Sequence, residues 1–574
     1  MKKRSHFYFF FIFFLFLIFN SFSQTGEYKA GKGSLKNRTT GDYNTAVGDS
    51  TLTNITSYHY NTAIGYKAGY SNLRGQENVF IGFGAGFSNT TAYDNTFIGF
   101  LSGYYNTNRG DNTFIGNGSG FNNTEGDDNT FIGEMAGFRV TTGDDNTFIG
   151  NKAGGSSSNV SYNHSTNTVT APTSEPATGS DNTAIGSLAA YSLKEGERNT
   201  AIGNQAGYDL NSGTFSRPIA VRKVASYNTF VGDSTGVDVG QGAYNTFIGQ
   251  AAGASTESGS YNTFIGARSG WDNNRTNKSQ NANYNTYLGF QTGFTNREGS
   301  NNIGIGANAD FIASGSRQNI NYRVIFIGTE ATVDKNDVLA IGYQSQARDY
   351  ETMTIGNYSK NLARETVSIG YKNYANNLAD YSVLIGSKDT ITKANSVGLG
   401  YNVNIKGDFS TAIGNKVRIK DGISYATAIG YGANATLSNT MILGGITNTD
   451  RVTVGIGTNS PNIKASIDLG DTDKGLLINR LTNAQKNSLT TKLGTNDIGM
   501  LIYDSENKSL LAWNGTTWQS SINTDNQNLS LSGNNIQISG GNSLDLSDFK
   551  DNTDNQNLTF SGTSLSIANG NSVD

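Results

Sequence analysis

Side chains able to catalyse or to bind metals are few in this 574-residue chain, and badly spaced for either task. Histidine occurs only at His6, His59 and His164, and the last two lie 105 residues apart in segments of no shared pattern. Cysteine is absent, which excludes disulfide frameworks, thiolate-ligated zinc, iron–sulfur clusters and thiol nucleophiles. Paired acids such as Asp127-Asp128 and Asp144-Asp145 recur at one position of a repeat and read as solvated turns, with weak calcium binding the minor alternative. Glycine-rich stretches such as Gly82–Gly86 have no following helix to make them phosphate cradles. No catalytic set, cofactor or metal site is therefore assigned, and the chain reads as non-enzymatic.

Two loops mix aromatic and basic residues, a combination that holds glycans or acidic polymers. The first, 211–227, carries Arg217, Arg222, Lys223 and Tyr227; the second, 271–284, carries Trp271, Arg275, Lys278 and Tyr284. The competing reading of both is a solvated loop. Trp513 and Trp518 would form a sugar platform, or else the core of a small domain with little else to bury.

Residues 1–23 open with Lys2, Lys3 and Arg4, run apolar from Phe7 to Phe19, and end in Ser21-Phe22-Ser23, the pattern of a secretory signal. The run is short of the ~20 residues that a bilayer span needs. Its removal would take the formal charge from −4 to −7, so nucleic-acid or anionic-membrane binding has no global electrostatic support.

The elements that must carry these residues follow from a repeat. The pattern N-T-[FA]-I-G ends at Gly48, Gly65, Gly82, Gly99, Gly116, Gly133 and Gly150, a step of 17. It resumes at Gly186 and continues to Gly306; from Gly328 to Gly444 the step shortens to 14 or 16, giving 23 copies. The residue before each glycine is Ile, Val or Leu, and the first 14 copies carry Asn four before it, from Asn44 to Asn302. Phe is frequent two before the glycine, and a second glycine usually follows four after it. Short β-branched and aromatic runs between glycines favour strands, and the glycines supply turns. The unit suits one coil of a parallel β-solenoid, its Asn column an amide ladder; 23 coils at ~4.8 Å would be roughly 110 Å long.

Alternation places the residues one and three before the glycine on one face and the Phe column on the other. Apolar residues three before the glycine in the 14-residue section, such as Leu339 and Val367, suggest that this pair of columns lines the interior. The Phe column would then point outward and be covered by identical chains packed lengthwise. By the same assignment the Thr column (Thr45, Thr62, Thr96) points inward, which argues against ice binding.

The 14-residue copies ETVSIGYKNYANN, STAIGNKVRIKDG and ATAIGYGANA resemble the head of trimeric autotransporter adhesins of the YadA-like type, over 41–446. The resemblance implies a left-handed β-roll and a homotrimer. The 17-residue copies depart from it by three residues, usually near the second glycine, which predicts an extra bend. RVTVGIGTNSPNIKASIDL resembles segments of Gram-negative surface and phage tail-fibre proteins, as does the module at 474–520, where Leu476 to Leu489 is the best helix candidate.

The expected organisation is a signal at 1–23, a linker at 24–40, head repeats at 41–309 and 310–446, a neck and small β-rich module at 447–521, and a 29-residue stalk repeat at 522–574. The second stalk copy stops where the first continues into Leu546, so the natural C-terminus is expected to lie further on. The expected function is a cell-surface adhesin of a Gram-negative bacterium, exported across the inner membrane, that binds matrix, glycan or a receptor. Outer-membrane attachment would come through a part not seen in this chain. The alternative is a passive fibre; a polysaccharide lyase lacks an acid–base set.

Overall fold

Three-residue strands are too short to stand alone, so each must be held by its neighbours above and below. In the computed structural model this is what the repeat does. The structure describes residues 26–155, 161–163, 168–170, 176–210, 224–274, 281–312, 322–447, 449, 451–520, 529–532, 535–538, 543–545, 558–561 and 564–567. Two units divide the chain, 1–452 and 453–574.

In the first unit one parallel sheet of 24 strands runs from Tyr28–Ala30 to Met441–Leu443. Its pairing is in register coil on coil: Thr113, Phe114 and Ile115 lie beside Thr130, Phe131 and Ile132. Tyr28–Ala30, within the stretch read as a linker, pairs with Thr45–Val47 and adds a strand before the first sequence copy. The fold is the expected all-β parallel solenoid.

The Asn column forms the expected ladder. Asn146 Nδ2 donates to Asn129 Oδ1 (3.0 Å) and Asn182 Nδ2 to Asn146 Oδ1 (3.1 Å), and all 14 asparagines are buried. Most of these amides also reach a turn carbonyl, as Asn146 Nδ2 does to the oxygen of Gly179 (3.1 Å). Past Asn302 the column passes through Val324 and Val338 to threonine and serine hydroxyls: Ser382 N donates to Thr366 Oγ1 (3.4 Å) and Ser410 N to Ser396 Oγ (3.2 Å).

Where the step is 17, the second glycine sits in the left-handed region, as at Gly137 (φ +60°), and turns the chain a further time. Where the step is 14, a short second strand replaces that turn, and nine such strands from Asp310–Phe311 to Asn434–Ala435 form a second parallel sheet. The extra bend expected of the 17-residue coils is thus present. The four long intervals do not break the stack; Thr147–Ile149 still pairs with Thr183–Ile185 across the longest.

One expectation is reversed. The Phe column points into the coil, and the columns on either side of it point out. Every TFI strand is buried only at its middle residue. Phe97, Phe114, Phe131 and Phe148 are fully buried and stack at centroid separations of 4.8–5.0 Å. The reason is room. A Cβ on Gly137 would lie 2.4 Å from the Phe131 ring, so the second glycine exists to admit the phenyl group beneath it. Burial of a ring is worth several aliphatic contacts, and the coil interior claims the larger side chain.

The second unit begins with paired parallel strands Val454–Ile456 and Ile467–Leu469. A four-stranded sheet follows, Arg480–Leu481, Leu501–Asp504, Ser509–Trp513 and Trp518–Ser520. The helix expected at 476–489 is shorter, Asn483–Thr490, because Thr482 caps it in a box with Gln485 and 480–481 is a strand. Strands Leu529–Ser532 and Asn535–Ile538 recur as Leu558–Ser561 and Ser564–Ile567, offset by the 29 residues of the repeat.

Candidate binding surfaces on the solenoid

The broadest outward feature is the face formerly assigned to the interior. Thr130 and Ile132 flank the buried Phe131, and their equivalents do so in every coil, so two columns of side chains run the length of the sheet. The column next to the glycine is aliphatic throughout the 23 copies. Its members are half-buried or exposed; Ile248 is 39% exposed and Leu288 44%. From Ile325 to Val397 the other column is aliphatic as well, so both rows there are apolar. The Thr column shares this face and points outward, so the orientation argument against ice binding falls. Burial of the face between chains and ordering of water on it are mutually exclusive uses.

A second outward column stands five residues before each glycine, where the backbone is left-handed in coil after coil. Tyr227, Tyr244, Tyr261 and Tyr284 occupy it in succession, stacked at 4.8–4.9 Å with rings within 6° of parallel. Arg198 caps the row: its guanidinium lies 5.4 Å from the Tyr227 ring and donates to Tyr227 Oη (2.6 Å). Sequence reading had named Tyr227 and Tyr284 as members of two separate loops. The fold brings them onto one ladder and adds Tyr244 and Tyr261, which were missed although they sit at the same repeat position. Because the rings cover one another's faces, only edges and hydroxyls meet solvent. A sugar could not stack on the inner rings.

Trp271 lies on another corner, stacked on Phe294 at 5.9 Å with the Arg268 guanidinium 5.7 Å from its ring. It does not join the tyrosines. Arg217, Arg222, Lys223, Arg275 and Lys278 lie outside the described residues. His59 Nδ1 accepts from the backbone of Asp42 (2.9 Å), a structural role, while His6 and His164 are also outside the described residues.

Earlier in the Tyr column stand Glu77, Asp94, Asp111, Asp128, Asp145 and Asp181. Partial burial pushes the Asp111 carboxyl up, with Asp128 and Asp94 adding repulsion; Asp145 is raised by burial and then by Asp128 and Asp181. The Glu77 carboxyl is raised by a hydrogen bond with Asp94. Among the described residues no cluster of three or more acid, His or Cys side chains is arranged to hold a metal. In the second unit Trp513 is buried, with Nε1 donating to the oxygen of Gly494 (3.2 Å), and Trp518 Nε1 donates to Thr490 Oγ1 (2.8 Å). Trp513 thus serves as core, while Trp518, with its ring centre 5.4 Å away, is half-buried.

The solenoid and its stacked outward columns fit a fibre-like protein. A family model described as a phage tail-like trimerisation region matches residues 455–536. This match supports a homotrimer and, with the solenoid, fits a phage-tail or fibre-like trimeric protein. No curated protein matches the chain.

Proposed function

We propose that the chain is exported and forms a trimeric, non-enzymatic fibre at the cell surface, its solenoid acting as an adhesin head of the YadA-like type. The observation that carries the reading is the outward aliphatic column. A continuous apolar row on every coil is far more exposed hydrocarbon than a monomer usually tolerates, and lengthwise packing of identical chains covers it. The sequence expectation of association thus keeps its conclusion with a different column as its cause. The trimerisation-region likeness in the second unit supports the same stoichiometry. Gram-negative origin, a secretory signal and attachment to matrix, glycan or receptor rest on the sequence resemblance.

The test is direct. Residues 24–574, purified, should scatter light as three chain masses, and coated surfaces should retain cells or matrix components. A monodisperse monomer would overturn the trimer, and a trimer that retains nothing would leave a passive fibre.

A further inference from the structure

In the 14-residue coils, positions two, four and six after the glycine alternate with buried positions three and five, so they share an outward face. From the coil of Gly342 to that of Gly430 this face carries Lys372, Lys388 and Lys416 in the first column, Lys360 and Arg418 in the second, and Arg348, Lys406 and Lys420 in the third. None of those three columns holds an acid over these coils. The one carboxylate between them, Asp389, is at the third position and buried; Asp349, half-buried, and Asp421, exposed, stand one column beyond. Of the cations, Lys372, Lys388, Lys406, Lys416, Arg418 and Lys420 are exposed, and no ion pair involves them among the described residues.

Tyrosines accompany the lysines, on the same coil or the next. Lys372 Nζ lies 5.1 Å from the Tyr371 ring centre; Lys388 Nζ donates to Tyr401 Oη (2.9 Å) and Lys416 Nζ to Tyr431 Oη (3.1 Å). The three lysines stand on the coils of Gly370, Gly386 and Gly414, so successive amines are one and two coils apart, about 4.8 and 9.6 Å at the usual strand spacing. Tyr371, Tyr401 and Tyr431 are all exposed.

We infer that this face binds a uronate-bearing polysaccharide lying along the solenoid. A pyranose in an extended chain spans close to one coil rise, so carboxylates one or two sugars apart can meet the amines of Lys372, Lys388 and Lys416. Phenol hydroxyls and ring edges meet the sugar rings beside them. Duplex nucleic acid fits less well, because its charges fall about every 3.4 Å on each strand, far denser than the cations offered. The face lies outside the Thr and aliphatic columns, so a trimer packed through those leaves it open. The inference deepens the surface-fibre reading and rests on it only in placing the protein where such polymers occur.

The experiment uses 24–574 immobilised at low salt, with hyaluronan, neutral dextran and duplex DNA as probes. Hyaluronan should bind, weaken as salt rises, and lose at least tenfold in affinity in the Lys372→Gln, Lys388→Gln, Lys416→Gln variant, while dextran does not bind. The matching Lys→Arg variant should restore binding. These side chains are exposed, and unchanged scattering mass and thermal unfolding verify that the variants fold. No hyaluronan binding, binding indifferent to the three substitutions, or equal binding of DNA would overturn the inference. Cell retention measured on the same surfaces separates the readings: retention without hyaluronan binding sinks this inference and leaves the fibre proposal standing.

Discussion

Single residues carry sharply different burdens in this solenoid. Phe131 is sandwiched between Phe114 and Phe148 at 4.8 and 5.0 Å, with Gly137 against its edge. Phe131→Ala should cost about 3–5 kcal/mol, the usual range for emptying a buried ring site, read as a lower denaturation midpoint. Asp389 makes the opposite case. Its Oδ1 accepts from Val403 N (2.9 Å), its Oδ2 has no partner, and burial pushes the carboxyl up to about 6. Folding then favours the protonated acid: its contribution is complete below the unfolded carboxyl range and is lost as pH rises through about 6. Asn373, at the same position one coil earlier, turns its amide onto the oxygen of Ile369 (3.0 Å). Asp389→Asn should therefore raise the melting temperature at pH 7, by up to about 3 kcal/mol of stability, and flatten its fall between pH 4 and 7. An unchanged pH profile would disprove the assignment.

At the scale of the element, the glycine column decides whether coils can touch. Gly133 has φ +137°, and a Cβ there would lie 2.3 Å from the oxygen of Gly150 on the next coil. Gly133→Ala should destabilise, whereas Gly494→Ala, where a Cβ would meet nothing within 4 Å and φ is −134°, should not; the first should also loosen pairing on both neighbouring coils, which amide exchange at Thr130 and Thr147 would report. Much of this element was legible in sequence: the step, the strand, the Asn ladder, the extra bend of the 17-residue coil. The facing was not, because alternation fixes which residues share a side but not which side is in. The deciding signal lay in size. In the 17-residue coils every aromatic two before the first glycine is matched by a second glycine four after it, while Ala184 is matched by Ala190 and Ala46 by Leu52. That exchange of volume marks the Phe column as interior. The tyrosine ladder stayed hidden for a related reason, since Tyr227 and Tyr284 were read as loop residues instead of as one repeat position.

At the scale of the whole molecule, association is governed by the outward columns. Replacing Ile132 and Ile149 with Lys places charge in the apolar row without touching the coil interior. If that row is buried between chains, scattering mass should fall toward one chain while circular dichroism keeps its β signal. If it is free, mass should not change, and thermal hysteresis then becomes the measurement that asks whether the outward threonines order ice. The trimer was legible in sequence only through resemblance, as no single-chain pattern states a stoichiometry.

The long intervals have a consequence of their own. Across all four the strands on either side pair in the same register, Thr147 beside Thr183, Thr200 beside Thr229, Thr263 beside Thr286 and Ile303 beside Ile325, whether the interval adds a few residues or many. Each coil is thus a docking port whose address along the axis is set by count, and whatever is inserted inherits that address without disturbing the others. A lineage with such a rail can exchange, lengthen or delete its side branches one at a time, and an engineer can do the same.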